Sequence, residues 1–229
     1  PCTYIGHPLA DRVAAWRAVD PAPLAHRLSL DPAKPVLLVL PGSRTSEVTR
    51  LMQPFGATVA MLVASGITPQ VLIPAVPHVR NLIEQQLARW PLPAHVVSGE
   101  ADKLMAFRLA RAALAASGTV TLELAAAGTP MVVAYRVDGL ARHLRFLVKT
   151  PSIVLANLVL GENAFPEFIQ EHCVAEHMAP ALAAILADGD ARDRQLSALA
   201  RIPDRLAVPH GSPSSRAADV VLALATRSR

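Results

Sequence analysis

The sequence predicts an α/β fold: a doubly wound, mostly parallel six-stranded Rossmann-like sheet, followed by a helical C-terminal tail. Apolar runs of strand length alternate with helical patterns over residues 35–175. Most of these runs are almost continuously apolar, which is typical of parallel strands that helices cover on both faces. The alternation of strand and helix then favours an open sheet with right-handed crossovers.

Each element is predicted from its own pattern. Strands are expected where apolar residues run almost without interruption: Val36–Leu40, Gln70–Pro74, His95–Ser98, Ala112–Ala116, Met131–Tyr135 and Ser152–Leu155. Helices are expected where apolar residues recur at helical spacing: Ser46–Ser65, His78–Trp90, Ala101–Ala110, Thr119–Ala127, Gly139–Val148 and Pro166–Glu171. The pattern is helical from there on, over Ala175–Ala187, Ala191–Leu206 and Ser214–Thr226.

The composition indicates a protein with a substantial core and a mild basic excess. The chain has 229 residues, of which 52% are hydrophobic and 17% are charged. Its formal net charge of +4 suits an anionic ligand or an anionic membrane surface. No nucleic acid partner is expected, because no stacking aromatic residues alternate with the basic ones. No apolar run is long enough to span a bilayer.

The cysteine and histidine patterns predict neither a disulfide nor a metal site. Cys2 and Cys173 show no CxxC spacing, and we interpret them as reduced thiols in a cytoplasmic protein. The eight histidines show neither HExxH nor paired-cysteine spacing. We therefore expect no metal and no cofactor.

Two predicted strand-to-helix corners are rich in glycine and hydroxyl side chains: Gly42-Ser43-Arg44 after the first strand and Ser117-Gly118-Thr119 after the fourth. Glycine lets a ligand approach the backbone closely, and the planar guanidinium of Arg44 suits phosphate. The free amides at a helix start favour an anion. Open α/β sheets bind ligands at the carboxyl ends of their strands, where both corners lie. The alternatives are an ordinary turn with a surface arginine and a plain helix cap.

Glu123 lies four residues past Thr119, on the same face of the predicted helix. A carboxylate in this position could accept hydrogen bonds from both hydroxyls of a ribose diol. Its neighbours in TLELAAAG are otherwise apolar, which favours a buried, partnered role over that of a capping or solvated glutamate.

Other candidates have weaker patterns. Asn157 and Gln170 carry neutral amides suited to sugar hydroxyls or a base edge, but taken alone they are better explained as a turn-forming asparagine and an exposed helical glutamine. His7, in a linker-like segment, and Arg136, after the fifth strand, are candidate interdomain or substrate contacts, although a lone histidine is more often structural.

Basic and apolar residues interleave between positions 136 and 160. The basic members include Arg142, His143, Arg145 and Lys149. This pattern indicates either an amphipathic helix that contacts an anionic membrane or a surface helix whose apolar face lies in the core.

Together these residues resemble the lipid-A-disaccharide synthase family, glycosyltransferases of the GT-B type with two Rossmann-like halves. The matching stretches are YIGHPLAD (4–11), LLVLPGSRTSEV (37–48), ASGTVTLELAAAGTPMVVAYR (116–136), LVKTPSIVLANLVLG (147–161) and FPEFIQEHC (165–173). They follow the family's order and spacing across nearly the whole chain. One departure is Ala156, where the family usually has proline before the asparagine.

The resemblance implies transfer of 2,3-diacylglucosamine from UDP-2,3-diacylglucosamine to 2,3-diacylglucosamine 1-phosphate, with inversion and without a metal. The diphosphate and nearby groups would be held by Gly42, Ser43, Arg44, Ser117, Gly118 and Thr119. Glu123 would bind the ribose, and Asn157 and Gln170 would line the donor pocket. The family further implies a cytoplasmic protein, peripheral on the inner membrane of a Gram-negative bacterium. A homodimer and contact with the anionic membrane are candidate associations.

The resemblance also implies a division of the chain. Residues 1–34 would form an interdomain crossover segment and helix, 35–175 the Rossmann-like donor-binding domain, and 176–229 helices that pack on this domain, on the missing N-terminal domain or on a partner chain. No catalytic residue is expected here, because the general base would belong to the absent N-terminal half. We therefore expect this stretch alone to be inactive. The alternatives are another GT-B enzyme acting on a UDP-sugar, similar to UDP-GlcNAc 2-epimerase, and a non-catalytic UDP-sugar-binding module.

Overall fold

A computed structural model describes residues 2–137, 150–208 and 211–227. Its centre is a sheet of six parallel strands in the order β3-β2-β1-β4-β5-β6. The strands are β1 (Val36–Leu40), β2 (Gln70–Pro74), β3 (Ala94–Val97), β4 (Ala112–Ala116), β5 (Met131–Tyr135) and β6 (Glu167–Ile169). The predicted α/β class and the parallel sheet are confirmed.

Helices connect the strands and continue after them. Those before β6 are α1 (Val13–Arg17), α2 (Ala22–Arg27), α3 (Thr45–Ala64), α4 (Pro77–Leu87), α5 (Glu100–Leu109), α6 (Thr119–Ala127) and α7 (Leu155–Leu160). Those after β6 are α8 (Ala175–Leu186), α9 (Asp190–Leu206) and α10 (Pro213–Arg227). The predicted helix Gly139–Val148, with Arg142, His143 and Arg145, lies outside the described residues.

The central strands are buried on both faces, and this explains their uninterrupted apolar sequences. In β1, Leu38 and Leu40 belong to one core cluster, while Leu37 and Val39 belong to the other. The first cluster is covered by α1, α2, α5, α6, α7 and α9, and the second by α3, α4 and α8. Successive side chains of a strand point to opposite faces, so each face needs its own apolar residues.

The sixth strand is not where the sequence predicted it. Ser152–Leu155 does not form a strand, and the strand that pairs with β5 is Glu167–Ile169, inside the segment Pro166–Glu171 that was predicted to be helical. This edge strand is three residues long and half-buried throughout, so it shows neither an apolar run nor a clear alternation. A short 3₁₀ turn, Gln170–His172, follows it directly.

Hydrogen bonds, rather than strand pairing, hold the misassigned segment in place. The carboxylate of Glu167 accepts from the Ile153 amide at 2.9 Å and from the Ser152 hydroxyl at 3.2 Å. The Ser152 hydroxyl oxygen accepts in turn from the Val154 amide at 2.9 Å. The segment therefore leads into α7 while its apolar Val154 is fully buried.

Helices α1, α8 and α9 pack on this domain. Arg17 of α1 donates from Nε to the Ala126 carbonyl and from Nη2 to the Leu199 carbonyl, each at 2.9 Å, and so joins α1 to α6 and α9. Helix α8 buries Met178 and Leu182 in one core cluster, while α9 buries Leu199 and Ile202 in the other. Helices α8 and α9 thus cover opposite faces of the sheet.

None of the helices among the described residues combines the length and apolar character that a membrane crossing needs.

Gln195 provides a test of how α9 stabilises the sheet. Its side chain is 2% exposed and bonds both backbone groups of Met131 at the start of β5: Nε2 donates to the carbonyl at 3.0 Å, and Oε1 accepts from the amide at 2.8 Å. Gln195→Ala should lower the free energy of unfolding by about 1–3 kcal/mol, because two buried backbone groups lose their partners. Denaturant unfolding measures it. The exposed Ser197→Ala on the same helix is the control, and equal losses in both variants would contradict the prediction.

Candidate functional site

A cavity of about 630 Å³ lies at the carboxyl ends of β1, β2, β3 and β4. Its walls come from the segments that follow these four strands: Gly42–Arg44 with Glu47, Pro74–Pro77, Val97–Glu100 with Lys103, and Ala116–Val120 with Glu123. The chain order reverses between β1 and β4, which are neighbours in the sheet although β2 and β3 come between them in sequence. Such a switch point is where doubly wound sheets bind ligands.

The structure brings both predicted corners into this one cavity. The predicted site residues that line it are Gly42, Ser43, Arg44, Ser117, Gly118, Thr119 and Glu123. They meet because Leu40, at the end of β1, is the register partner of Ala115 in β4. The end of one strand therefore lies beside the end of the other.

Glu47 organises the corner after β1. This side chain is 7% exposed, and its Oε2 accepts from the Ser43 amide at 3.0 Å and from the Arg44 amide at 3.2 Å. Gly42 has φ +109°, and a Cβ there would collide with the Glu47 carboxylate. The glycine thus permits both the left-handed backbone and the close approach of the carboxylate.

Arg44 extends from this corner toward solvent. Its side chain is 76% exposed, and its Nη1 donates to Oε1 of Glu47 at 2.9 Å. An exposed ion pair of this kind contributes little to stability. The guanidinium retains other N–H donors that can face an anion in the cavity.

The corner after β4 presents the start of α6. No side chain among the described residues caps this helix. The Ser117 hydroxyl donates to the Ile153 carbonyl at 2.6 Å, and the Thr121 hydroxyl donates to the Gly118 carbonyl at 2.8 Å. The Thr121 amide donates to the Gly118 carbonyl at 3.1 Å, whereas the amides of Thr119 and Val120, which line the cavity, have no acceptor among the described residues; this arrangement favours an anion.

Glu123 faces the same cavity from the second turn of α6, and it is paired with Lys103. Nζ of Lys103 is 3.1 Å from Oε2 of Glu123 and 2.9 Å from Oε2 of Glu100. Burial, the largest single influence, lowers the pKa of Lys103, but the hydrogen bonds and charges of Glu100 and Glu123 together outweigh it and raise this pKa above its ordinary value. The contribution that Lys103 makes to stability is complete at neutral pH and is lost as the pH rises through its raised pKa.

Sequence reasoning missed Glu47, Glu100 and Lys103, which line the cavity, and His78, which lies beside it. Nε2 of His78, in α4, lies 2.7 Å from the Ser43 carbonyl oxygen and steadies the corner after β1. Lys103 precedes Glu123 by 20 residues and reaches it because α5 packs against α6 on one face of the sheet. Its position just after the third predicted strand is the signal that could have flagged it.

The remaining predicted site residues lie outside the cavity. Asn157 is 2% exposed, and its amide donates to the Phe165 carbonyl at 2.9 Å and accepts from the Phe165 amide at 3.0 Å. Oε1 of Gln170 accepts from the Val137 amide at 3.0 Å, and Nη2 of Arg136 donates to the Cys173 carbonyl at 2.6 Å. Nδ1 of His7 accepts from the Leu9 amide at 3.1 Å. Each of these side chains therefore bonds backbone groups of the protein that do not line the cavity.

A larger cavity of about 800 Å³ lies at the opposite edge of the sheet. It is lined by residues of α8, α9 and the loop before β6, including Ala181, Ile185 and Arg194. The amino ends of the strands lie here, whereas the strand-to-helix corners lie at the carboxyl ends. The smaller cavity is the better candidate site, because it lies at the carboxyl ends of the strands, where open α/β sheets bind their ligands.

Comparisons with known proteins show similarity to one family over nearly the whole chain. The family model of lipid-A-disaccharide synthetase matches residues 1–207. The chain is 50% identical over 225 residues to the lipid-A-disaccharide synthase of Rhodopseudomonas palustris strain BisB18, covering 98% of this chain and 56% of that protein. It is 45% identical over 230 residues to the synthase of Bradyrhizobium diazoefficiens, covering 100% of this chain and 58% of that protein.

Solved structures show similarity at the level of the fold. The lipopolysaccharide glycosyltransferase WaaG aligns with a TM-score of 0.51 and 17% identity, covering 87% of this chain and 50% of that chain. The UDP-GlcNAc 2-epimerase of Neisseria meningitidis, solved with UDP-GlcNAc, aligns with a TM-score of 0.54 and 14% identity, covering 96% of this chain and 54% of that chain.

Gly42 allows a direct test of the corner after β1. Gly42→Ala should destabilise the fold by more than Gly66→Ala, the matched control. Both glycines have positive φ, +109° and +83°, but a Cβ at position 66 would meet open space, whereas one at 42 would displace Glu47. We expect about 1 kcal/mol for backbone strain alone and roughly twice that at Gly42. Denaturant unfolding compares the two, and equal costs would show that the Glu47 contact does not matter.

Proposed function

Because the chain belongs to the lipid-A-disaccharide synthase family, we propose that it is the donor-binding part of a glycosyltransferase. The reaction transfers 2,3-diacylglucosamine from its UDP carrier to 2,3-diacylglucosamine 1-phosphate and yields the disaccharide precursor of lipid A. The chain spans about half the length of the curated relatives that it matches, 56% of the first of them. The activity is therefore proposed for the complete protein.

A single observation carries this proposal: the corner with Arg44 and the start of α6 line one cavity, with Glu123 on the same wall. The first amides of α6 and the Arg44 guanidinium suit the two phosphates of a UDP-sugar. The Glu123 carboxylate suits the ribose diol. A cavity of about 630 Å³ is within the usual range for small-molecule sites.

In this proposal the donor half stabilises the leaving group. Displacement at the anomeric carbon transfers the bonding electron pair to the β-phosphate oxygen, so negative charge grows on the departing UDP. Amides at the start of α6 and the guanidinium of Arg44 would stabilise that charge, because they are oriented before the reaction begins. Some N–H donors of the Arg44 guanidinium would then leave Glu47 and bond the phosphate.

The acceptor hydroxyl also needs a general base, and we infer that a part of the complete protein outside this chain provides it. The acids that line the cavity are Glu47, Glu100 and Glu123. Glu47 accepts from two amides and from Arg44, while Glu100 and Glu123 are paired with Lys103. A carboxylate that is engaged in this way is a poor proton acceptor.

The family also guides the proposed location and associations. We propose a peripheral position on the cytoplasmic face of the inner membrane, with a homodimer as a candidate assembly. Membrane contact would involve the basic residues between 138 and 149, which lie outside the described part of the chain. Asn157 and Gln170 would support the donor pocket by fixing the segments beside it, since their amides bond Phe165 and Val137.

Binding experiments can separate the two proposed subsites. Glu123→Ala should weaken UDP binding by about tenfold and leave pyrophosphate binding nearly unchanged, because only the ribose contact is lost. Arg44→Ala should weaken both ligands by a similar factor, because it removes a phosphate contact. Calorimetry with each ligand measures these changes.

The exposed Arg89→Ala, outside the cavity, is the charge-matched control for Arg44 and should bind both ligands as the parent does. Equal losses of UDP and pyrophosphate in Glu123→Ala would remove the ribose role. Unchanged pyrophosphate affinity in Arg44→Ala would remove the diphosphate contact.

Activity is tested by completing the protein. We would join the N-terminal part of the Rhodopseudomonas palustris relative to this chain and assay UDP release from the proposed donor and acceptor. We expect release that depends on both substrates and falls when Glu123→Ala is introduced. A folded fusion that binds UDP but transfers no sugar would favour the non-catalytic binding module.

A further inference from the structure

The ammonium group of Lys103 lies between two carboxylates at the edge of the cavity. Its contact with Glu123, 3.1 Å from Nζ to Oε2, joins α5 to α6. The Lys103 and Glu123 side chains are only 23% and 24% exposed, whereas Glu100 is 60% exposed. Solvent screens a partly buried pair less than an exposed one, so the contact with Glu123 is the stronger constraint.

Two aromatic rings limit where the ammonium group can go. Nζ of Lys103 is 6.0 Å from the ring centroid of Trp16 and 5.8 Å from that of Phe107. Trp16 is 6% exposed and Phe107 is 1% exposed, so both rings are fixed in the core. Lys103 therefore differs from a surface lysine, whose ammonium samples many directions.

This pairing leaves half of the Glu123 carboxylate available. Lys103 contacts Oε2, and Oε1 accepts no hydrogen bond from the residues that the structure describes. A carboxylate has about four lone-pair sites, so Oε1 can accept from a hydroxyl while Oε2 stays on the lysine.

The charges in the cavity explain why Glu123 needs such a partner. Among the described residues, the ionised side chains that line it are two cations, Arg44 and Lys103, and three anions, Glu47, Glu100 and Glu123. A diphosphate adds further negative charge and would repel a nearby carboxylate. In the proposed function Arg44 contacts the phosphates, whereas Lys103, 3.1 Å from Glu123, is the cation that offsets the repulsion at this carboxylate.

We propose that Lys103 is a positioning residue of the ribose subsite, which holds Oε2 of Glu123 so that Oε1 accepts a hydrogen bond from the ribose 2′-hydroxyl. The inference rests on the proposed function, because it presumes a nucleotide in the cavity. Lys103 acts through Glu123 and needs no contact with the nucleotide. Its effect should therefore appear as selectivity for ribose.

The test is the ratio of two dissociation constants, that of 2′-deoxy-UDP divided by that of UDP. Both ligands carry the same phosphates, so the ratio cancels any general loss of positive charge in the cavity. Calorimetry would compare the parent chain with Lys103→Met, Lys103→Arg, Glu123→Ala and the double variant Lys103→Met/Glu123→Ala. Circular dichroism and thermal unfolding would establish that each variant is folded.

We expect a ratio of about 10 in the parent, because 2′-deoxy-UDP lacks one hydrogen bond to a charged acceptor. The ratio should fall to about 1–2 in Lys103→Met, in Glu123→Ala and in the double variant, since the two residues act as one unit. Lys103→Arg should keep most of the selectivity, because it retains a cation that can hold Oε2. If Lys103→Met does not fold, Lys103→Gln takes its place with the same expected ratio.

Lys34→Met is the matched control. Lys34 also pairs with an acid, Asp31, at 4.0 Å, but its side chain is 54% exposed and it precedes β1 at the opposite edge of the sheet. Its removal should leave the ratio at the parental value. A change in Lys34→Met as large as that in Lys103→Met would overturn the positioning role.

The remaining outcomes separate this inference from the proposed function. A folded Lys103→Met or Lys103→Gln variant with the parental ratio would overturn the positioning role. If the ratio still falls to about 1–2 in Glu123→Ala, the proposed ribose site remains supported. A folded parent chain that binds no UDP, or that binds both ligands equally, would overturn the proposed site and this inference with it.

Discussion

The parallel pairing of β1 with β4 is the constraint on which the candidate site depends. The register of Leu40 with Ala115 ends the two strands side by side and brings together corners that are far apart in sequence. Both strands are fully buried and covered on both faces, so a shift in register would expose or misplace many apolar side chains at once. The core thereby fixes the distance between Arg44 and the start of α6 more firmly than any contact within the cavity could.

The two corners are built differently. After β1, a protein carboxylate already fills the place that the loop amides offer, because Glu47 accepts from the amides of Ser43 and Arg44. After β4, no side chain among the described residues caps the first turn of α6. The first corner is therefore organised without a ligand and presents a side chain, whereas the second presents backbone donors. This division is consistent with one corner that sets geometry and one that receives negative charge.

The sequence predicted most of the sheet because its central strands are short, apolar and buried on both faces, a pattern that hardly depends on their neighbours. It misplaced β6 because an edge strand of three half-buried residues shows no such pattern. It found Arg44 and Glu123 from local motifs but missed Lys103, because the contact of Lys103 with Glu123 depends on how two helices pack. Likewise, the sequence around Asn157 does not indicate that the backbone of Phe165 bonds both Nδ2 and Oδ1 of its side chain.

A residue with a left-handed backbone follows β6, outside the cavity. Gln170 has φ +55°, a value that costs a residue with a Cβ roughly 1 kcal/mol or more. It directly follows β6, and its Oε1 accepts from the Val137 amide just after β5. Nη2 of Arg136 also donates to the Cys173 carbonyl and so joins the same two segments, one after β5 and one after β6. These two bonds tie together the ends of β5 and β6, on the edge of the sheet where the cavity opens. These bonds offset the cost of the left-handed backbone at Gln170 and fix the segments that follow β5 and β6.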